Sequence, residues 1–306
     1  MANVASPRGR EAFDTATRLV WGAEPRELSL LYALAYVAGA GDARTPGSFV
    51  RLVTTAGGAQ ESRFAGGSQV VAERVAALLG RRVVLGAPVR RITQDAGGVR
   101  VVVSGLTVEA KRAIVTVPPV LALDIAFAAA VPRAKARMLR GLRPGATIKA
   151  EAVYPRPFWR DGGLSGQAIG DLAVSGTFDN SPPDGSIGVL MGFVVGDAAR
   201  RFRALPAAQR RQTVLDAFAA YAGEAARSPS GYVEKDWTAD RWTRGCPTGH
   251  APPGVLRRYG PALRRATGRV RWAGSETSTF WQGCMDGAVR SGERAAAEAL
   301  AALRRP

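Results

Sequence analysis

The sequence predicts an α/β fold, and three observations carry that expectation. Residues 8 to 40 and about 285 to 303 place apolar side chains at helical spacing. Residues 83 to 117 and 147 to 237 hold short runs rich in β-branched residues, bounded by glycine and proline. Near the end, a short strand passes through a glycine turn into a long helix. With 306 residues, of which 46% are hydrophobic and 22% charged, the chain can bury a sizeable core in one large or two ordinary domains.

In chain order, Phe13, Ala16 and Val20 mark a first helix, and Leu28, Leu31, Leu34 and Ala35 a second, opened by Pro25. The apolar run from Leu28 to Ala40 is too short to span a bilayer and reads as a buried helix. Gly66-Gly67-Ser68 opens a helix from about Gln69 to Leu79, with Ser68 placed to cap it. Strands follow at Val83 to Leu85, Val89 to Thr93, Val99 to Val103, Thr107 to Ala110 and Ala113 to Val117, with a hairpin turn at Asp95-Ala96-Gly97-Gly98. Ala113 to Val117 is apolar on both faces, as in a strand covered on both sides. A second cluster comprises strands Thr147 to Tyr154, Gly188 to Val195 and Tyr232 to Trp237, with a helix at about Ala207 to Ala222. Strand Val270 to Ala273, turn Gly274 to Thr279 and a helix from Met285 to Leu303 close the pattern, with residues 301–306 finishing that helix.

The formal net charge is +17, which raises a nucleic-acid reading. The basic residues are arginines placed singly or in pairs, such as Arg81-Arg82, Arg90-Arg91 and Arg264-Arg265, with no reading module. They are expected to be a solvated surface, with no nucleic-acid partner. The two cysteines, Cys246 and Cys284, form no disulfide framework. The one histidine, His250, has no acidic or cysteine cluster at ligand spacing and no nucleophile elbow nearby, so no metal site and no role for it are expected. Met1 to Arg10 has no apolar leader, and the expectation is a soluble, cytoplasmic protein without a membrane partner.

A strand, a glycine turn and a helix present backbone amides to a ligand, and Glu276 in the turn adds an acceptor. The string from Trp272 through Gly274-Ser275-Glu276 and Gly283-Cys284-Met285-Asp286-Gly287 to Val289, continued by Ser291-Gly292-Glu293-Arg294, closely resembles the C-terminal flavin-contact signature of the flavin monoamine oxidase family. Gly57 to Gly67 is similar to that family's central segment, and Leu28 to Val37 to a helix lining its substrate cavity, so the likeness is continuous from about Arg8 to Leu300.

The resemblance implies FAD as cofactor. It sets Gly274, Ser275, Glu276, Gly283, Cys284 and Met285 against the flavin, and the Val89 backbone at adenine. Lys149, which strand alternation alone would turn to solvent, matches the lysine that holds a water near flavin N5, where a cation would favour charge developing on O₂. Cys246 matches the cysteine that some members join covalently to the flavin. Pro247 and Cys284 stand where the family often has two aromatic rings framing the amine, and Gly39 where mitochondrial members have a cavity-lining glutamine. A wider pocket is implied, with Trp237, Trp242, Phe280 and Trp281 as other wall candidates. The implied reaction is hydride transfer from an amine to the flavin, then hydrolysis of the imine to an aldehyde and reoxidation by O₂ to give hydrogen peroxide.

The family opens with a Gly-x-Gly-x-x-Gly turn, and that spacing does not occur in this sequence. The expectation is therefore a truncated, partial FAD-binding (Rossmann-like) domain, residues 58–138 and 240–306. It would be interleaved with a mixed-sheet α+β substrate-binding domain, residues 1–57 and 139–239. Little turnover is expected from the chain alone. A complementing N-terminal FAD-binding chain is one reading, and a non-catalytic scaffold that binds a partner is the alternative.

Overall fold

A computed structural model describes residues 6–127 and 131–304 of the chain. Residues 1–5, 128–130 and 305–306, on which parts of the expected domains and the end of the last helix fall, lie outside the described residues. The chain divides into two compact units: Met1–Ser29 with Leu142–Pro253, and Leu30–Gly141 with Gly254–Pro306. The helix from residue 30 thus belongs to the unit that carries the glycine turn, and the Cys246 segment to the other.

In chain order the main elements begin with helices α1 (Pro7–Trp21), α2 (Leu30–Ala38) and α3 (Gln69–Leu79). Strands β1 (Val89–Gln94), β2 (Val99–Val103), β3 (Leu106–Ala110) and β4 (Ala113–Val115) follow, then helix α4 (Arg133–Gly141). Strands β5 (Thr147–Tyr154), β6 (Gly176–Asp179) and β7 (Gly188–Val195) precede helix α5 (Ala207–Ala222) and strand β8 (Gly231–Asp236). Strand β9 (Val270–Trp272) and helix α6 (Met285–Leu303) complete the series.

The first unit is built on a five-stranded sheet, antiparallel throughout, in the order β8-β5-β7-β6 with Ala168–Ile169 at the edge. Alternation along β5 sorts its side chains cleanly. Ile148, Ala150, Ala152 and Tyr154 are buried in the main core with Leu190, Val194, Leu215 and Phe218, while Lys149, Glu151 and Val153 lie half-buried on the opposite face. Gly192 lets α5 come close, because a Cβ there would stand 2.5 Å from the Phe218 ring. Tyr154 donates its hydroxyl to the Ala226 carbonyl at 2.8 Å, so the one polar atom this large ring brings into the core is satisfied.

The second unit holds a mixed four-stranded sheet, β3-β2-β1 with Ala126–Phe127 parallel to β1, and a separate parallel pair, β4 with β9. Asp95 Oδ1 accepts from the amides of Gly97 and Gly98, which closes the expected hairpin. Four local expectations are corrected in this unit. Strand β4 has β9 as its one partner among the described residues, and Ile114 is 39% exposed rather than covered. Helix α2 buries Tyr32 and Tyr36 but leaves Leu30 at 73% and Leu34 at 59% exposure, so it has one covered face. Ser68 makes no side-chain cap, because its own backbone is already helical and a capping residue is normally extended. Val83 to Leu85 forms no strand; Val83 donates back to Gly80 at the end of a 3₁₀ turn, and Leu85 stands out in solvent.

Lys135 on α4 is the unit's most unusual core residue. It is 2% exposed, donates to the Leu263 carbonyl at 2.8 Å and lies 4.4 Å from the centre of the Trp272 ring. Burial, with the Arg294 charge adding to it, pushes its pKa down to about 7. Between about 7 and the ordinary lysine value, the unfolded chain carries a proton that the folded one has shed, so stability rises with pH across that window. Urea titrations from pH 6.5 to 10 should show this rise in the wild type and a flatter profile in Lys135→Met.

Candidate functional site

The glycine turn is assembled within the second unit. Ala273 donates to the Val115 carbonyl and so extends the β4–β9 ladder to the edge of the turn. Gly274 then takes φ +109°, which a side-chain-bearing residue rarely adopts, and Ser275–Thr277 form one 3₁₀ turn closed by Thr277 N–H to the Gly274 carbonyl. Glu276 is 8% exposed, and the Ser275 hydroxyl donates to its Oε2 at 3.1 Å. A Cβ on Gly274 would stand 3.8 Å from that same oxygen and 3.3 Å from the Thr116 carbonyl, so glycine leaves open space beside the carboxylate.

From Ser278 to Cys284 the chain turns back to start α6. Trp281 sits in the left-handed region at φ +50°, a conformation that costs a non-glycine residue about 1–2 kcal/mol. Its amide donates to the Gly39 carbonyl at 2.8 Å, its carbonyl accepts from Cys284 N–H, and Arg51 lies 5.7 Å from its ring centre. Gly287 makes this possible: a Cβ there would meet the Trp281 carbonyl at 2.1 Å. Cys284 is the N-cap of α6 and gives no side-chain cap, so the first-turn amides, which have no intrahelical acceptor, gain none from the capping side chain. Acceptor-seeking amides beside a buried carboxylate fit the edge of a flavin ring, which carries both hydrogen-bond acceptors and a donor.

Helix α2 bounds the turn from the other side. Gly39 presses on it, with a Cβ there only 2.9 Å from the Thr279 carbonyl, so close approach is enough to require a glycine. Tyr36, 5% exposed, has its hydroxyl pKa raised by burial and then by the charges of Cys284 and Glu276, which places it among the turn's neighbours. The Cys284 thiol is itself pushed up by burial and by Asp286. Met285, at the mouth of the helix, is 46% exposed. Val89 opens β1 opposite Val103, next to a register shift between Val89 and Arg91, and packs against the core around Ile92 and Trp272.

The first unit brings Lys149 and Cys246 together. Lys149 Nζ lies 5.2 Å from the centre of the Phe193 ring, its partner in register on β7. Cys246 is tied to the start of β5: its amide donates to the Gly145 carbonyl, and its carbonyl accepts from Thr147 Oγ1 at 2.8 Å. Burial raises the Cys246 thiol, and the nearby Lys149 charge acts against that rise. A thiol held neutral is a weak nucleophile, which weighs against a ready covalent link. The bond from Cys246 to the exposed Pro247 is cis. Trp237 is half-buried and Trp242 is exposed.

His250 is fully buried in a short ladder opposite Arg143, and neither ring nitrogen has a hydrogen-bond partner among the described residues. Burial lowers its pKa to about 4, so it is a neutral core residue. No group of His, Cys, Asp or Glu that could hold a metal occurs among the described residues. None of their helices is long and apolar enough to cross a membrane.

Residues 18–300 match the family of flavin-containing amine oxidoreductases. This chain belongs to that family. The flavin-containing monoamine oxidase AofH of Mycobacterium tuberculosis is 41% identical over 300 residues, covering 98% of this chain and 64% of the relative. Human flavin-containing amine oxidase B is 37% identical over 286 residues, covering 92% of this chain and 54% of that protein. Among solved structures, cyclohexylamine oxidase from Brevibacterium oxydans superposes with a TM-score of 0.93 at 33% identity, over 99% of this chain and 66% of that one. Putrescine oxidase bound to putrescine gives 0.89 at 33%, over 97% and 65%. The chain thus spans somewhat over half to two thirds of the length of these relatives, and the family is a flavin-containing one.

The two glycines of α6, one tightly packed and one open, separate packing from propensity. Gly287→Ala should destabilise the chain by about 2 kcal/mol or more, because a backbone carbonyl blocks the new methyl. Gly292→Ala, with nothing within 4 Å of its Cβ, should stabilise by about 0.5–1 kcal/mol. Urea unfolding of the two variants checks the contrast.

Proposed function

We propose that this chain forms the flavin-turn and amine-side portion of an FAD-dependent amine oxidase that takes an amine, O₂ and water to an aldehyde, hydrogen peroxide and ammonia or a smaller amine. The observation that carries the reading is the buried Glu276 turn set against the uncapped start of α6. When bound, FAD supplies the two-electron redox chemistry, and the protein supplies placement and electrostatics.

In this reading Gly274, Ser275, Glu276, Gly283, Cys284 and Met285 hold the flavin ring and Val89 the adenosine end. Lys149 keeps a cation where O₂ gains negative charge, and it orients a water there. Support for that role is its place on the half-buried face of β5, beside Phe193. A covalent attachment through Cys246 would require the neutral thiol to lose its proton, which the Lys149 charge assists. Pro247 and Cys284 stand where the family often has paired rings, and Gly39 where mitochondrial members have a glutamine, so the substrate class extends beyond small arylalkylamines.

The reading also includes a complementing segment with the Gly-x-Gly-x-x-Gly turn. Its support is the open β4–β9 pair: parallel sheets are normally covered on both faces, whereas here Ile114 is exposed and no further strand joins either edge among the described residues. In its absence the purified chain should bind FAD weakly.

A visible spectrum of the chain, with FAD and then with the first dinucleotide-binding unit of a relative added as a separate polypeptide, tests this. Absorbance near ~450 nm should appear and strengthen with the added unit, as expected of protein-held flavin. Colour that stays with acid-precipitated protein would establish the Cys246 link. A protein colourless under both conditions would leave the partner-binding scaffold as the better account. In the flavin-loaded protein, Lys149→Met should slow reoxidation by O₂ by about tenfold or more, with a smaller effect on reduction by amine. Stopped-flow measurement of the two half-reactions separates them.

A further inference from the structure

Two side chains of α6 hold the glycine turn from both of its ends. Ser291, 1% exposed, accepts from the Gly274 amide at 3.0 Å, and its hydroxyl donates to the Ala288 carbonyl at 2.7 Å. Three residues on, Arg294 Nη2 donates to the Trp272 carbonyl at 2.6 Å and to Thr277 Oγ1 at 3.2 Å, while Nη1 donates to Glu298 Oε1 at 2.8 Å. The spacing of three puts both side chains on one helix face. Thr277 closes the circuit, because both its hydroxyl and its amide donate to the Gly274 carbonyl.

The ties answer a specific problem. Gly274 is the most conformationally free residue type, placed where the chain must keep one uncommon geometry. Without tethers, Gly274 to Thr277 would sample other shapes, and the Glu276 carboxylate would move with them. With the tethers, the last residue of β9, the turn and α6 become one piece, so the carboxylate and the first-turn amides of α6 keep a fixed spacing. Only a planar fork can reach Trp272, Thr277 and Glu298 at once; a lysine offers a single nitrogen.

We infer that Ser291 and Arg294 are positioning residues that pre-set the Gly274–Thr277 turn for the flavin ring. Both bond to the turn and act through it. The inference rests on the flavin reading of that turn.

The test has two arms, both on the full chain. Amide hydrogen exchange should rise at least tenfold at Gly274 and Thr277 in Ser291→Ala and in Arg294→Met, with the amides of α5 unchanged. Glu298→Gln, which spares the contacts to Trp272 and Thr277, should leave all of them unchanged. In the second arm FAD is titrated by fluorescence in the presence of the complementing unit. Arg294→Met and Arg294→Lys should weaken binding at least tenfold and shift the flavin absorbance maximum, while Glu298→Gln stays within twofold of wild type. Unchanged exchange in both Ser291→Ala and Arg294→Met would overturn the inference, as would raised exchange with wild-type flavin affinity and spectrum. A wild-type protein that takes up no flavin would overturn the flavin reading itself and the positioning role with it, a result distinct from either of those. Should Arg294→Met fail to fold, Ser291→Ala carries both arms.

Discussion

The carbonyl of Trp281 occupies the space in which any side chain at position 287 would lie, and the geometry of the candidate site depends on that one approach. Because Gly287 admits the carbonyl, the chain can fold back after Ser278 and start α6 immediately behind the turn. Trp281 is driven into left-handed backbone to do so, and that cost is offset by its bonds to Gly39 and Cys284 and by Arg51 over its ring. The segment is thus over-determined, which is the condition under which local strain persists. Gly39 repeats the device on the other side, with α2 pressed on the Thr279 carbonyl.

Polar groups in the second unit are arranged around the same turn. Arg264 donates to the Ser278 carbonyl, Arg294 to Trp272 and Thr277, and Gln282 to the Glu276 carbonyl. Behind them Lys135 lies over the Trp272 ring and donates to the Leu263 carbonyl. The arginine richness of the chain therefore has two parts. A large share is solvated surface, but Arg264 and Arg294 each donate to a backbone carbonyl at the turn, and the Arg294 fork reaches two side chains besides.

The first unit works by a simpler rule. An antiparallel sheet with α5 packed on one face leaves the other face half-buried, and the alternation of β5 from Ile148 onward puts Lys149 there by parity. The Cys246 turn is bonded to the first residues of that strand, so the amine and the thiol share a neighbourhood although 97 residues separate them in sequence, from 149 to 246.

The sequence by itself determined the elements whose cause is local. The hairpin at Asp95 to Gly98, the alternating strand around Lys149 and the strand, turn and helix from Val270 to Leu303 are legible because side-chain period and turn chemistry act over a few residues. The family likeness was legible as well, since it lies in a continuous string. What only the tertiary structure decided depends on groups distant in the chain. Whether Leu30 and Leu34 are covered, whether Ile114 gains a second sheet neighbour, and why position 39 must be glycine are questions about what arrives from elsewhere. Ser291, Arg294 and Tyr36 belong to the same class: nothing in their immediate sequence marks them as partners of the turn, because their acceptors and neighbours are set by how β9, α2 and α6 pack.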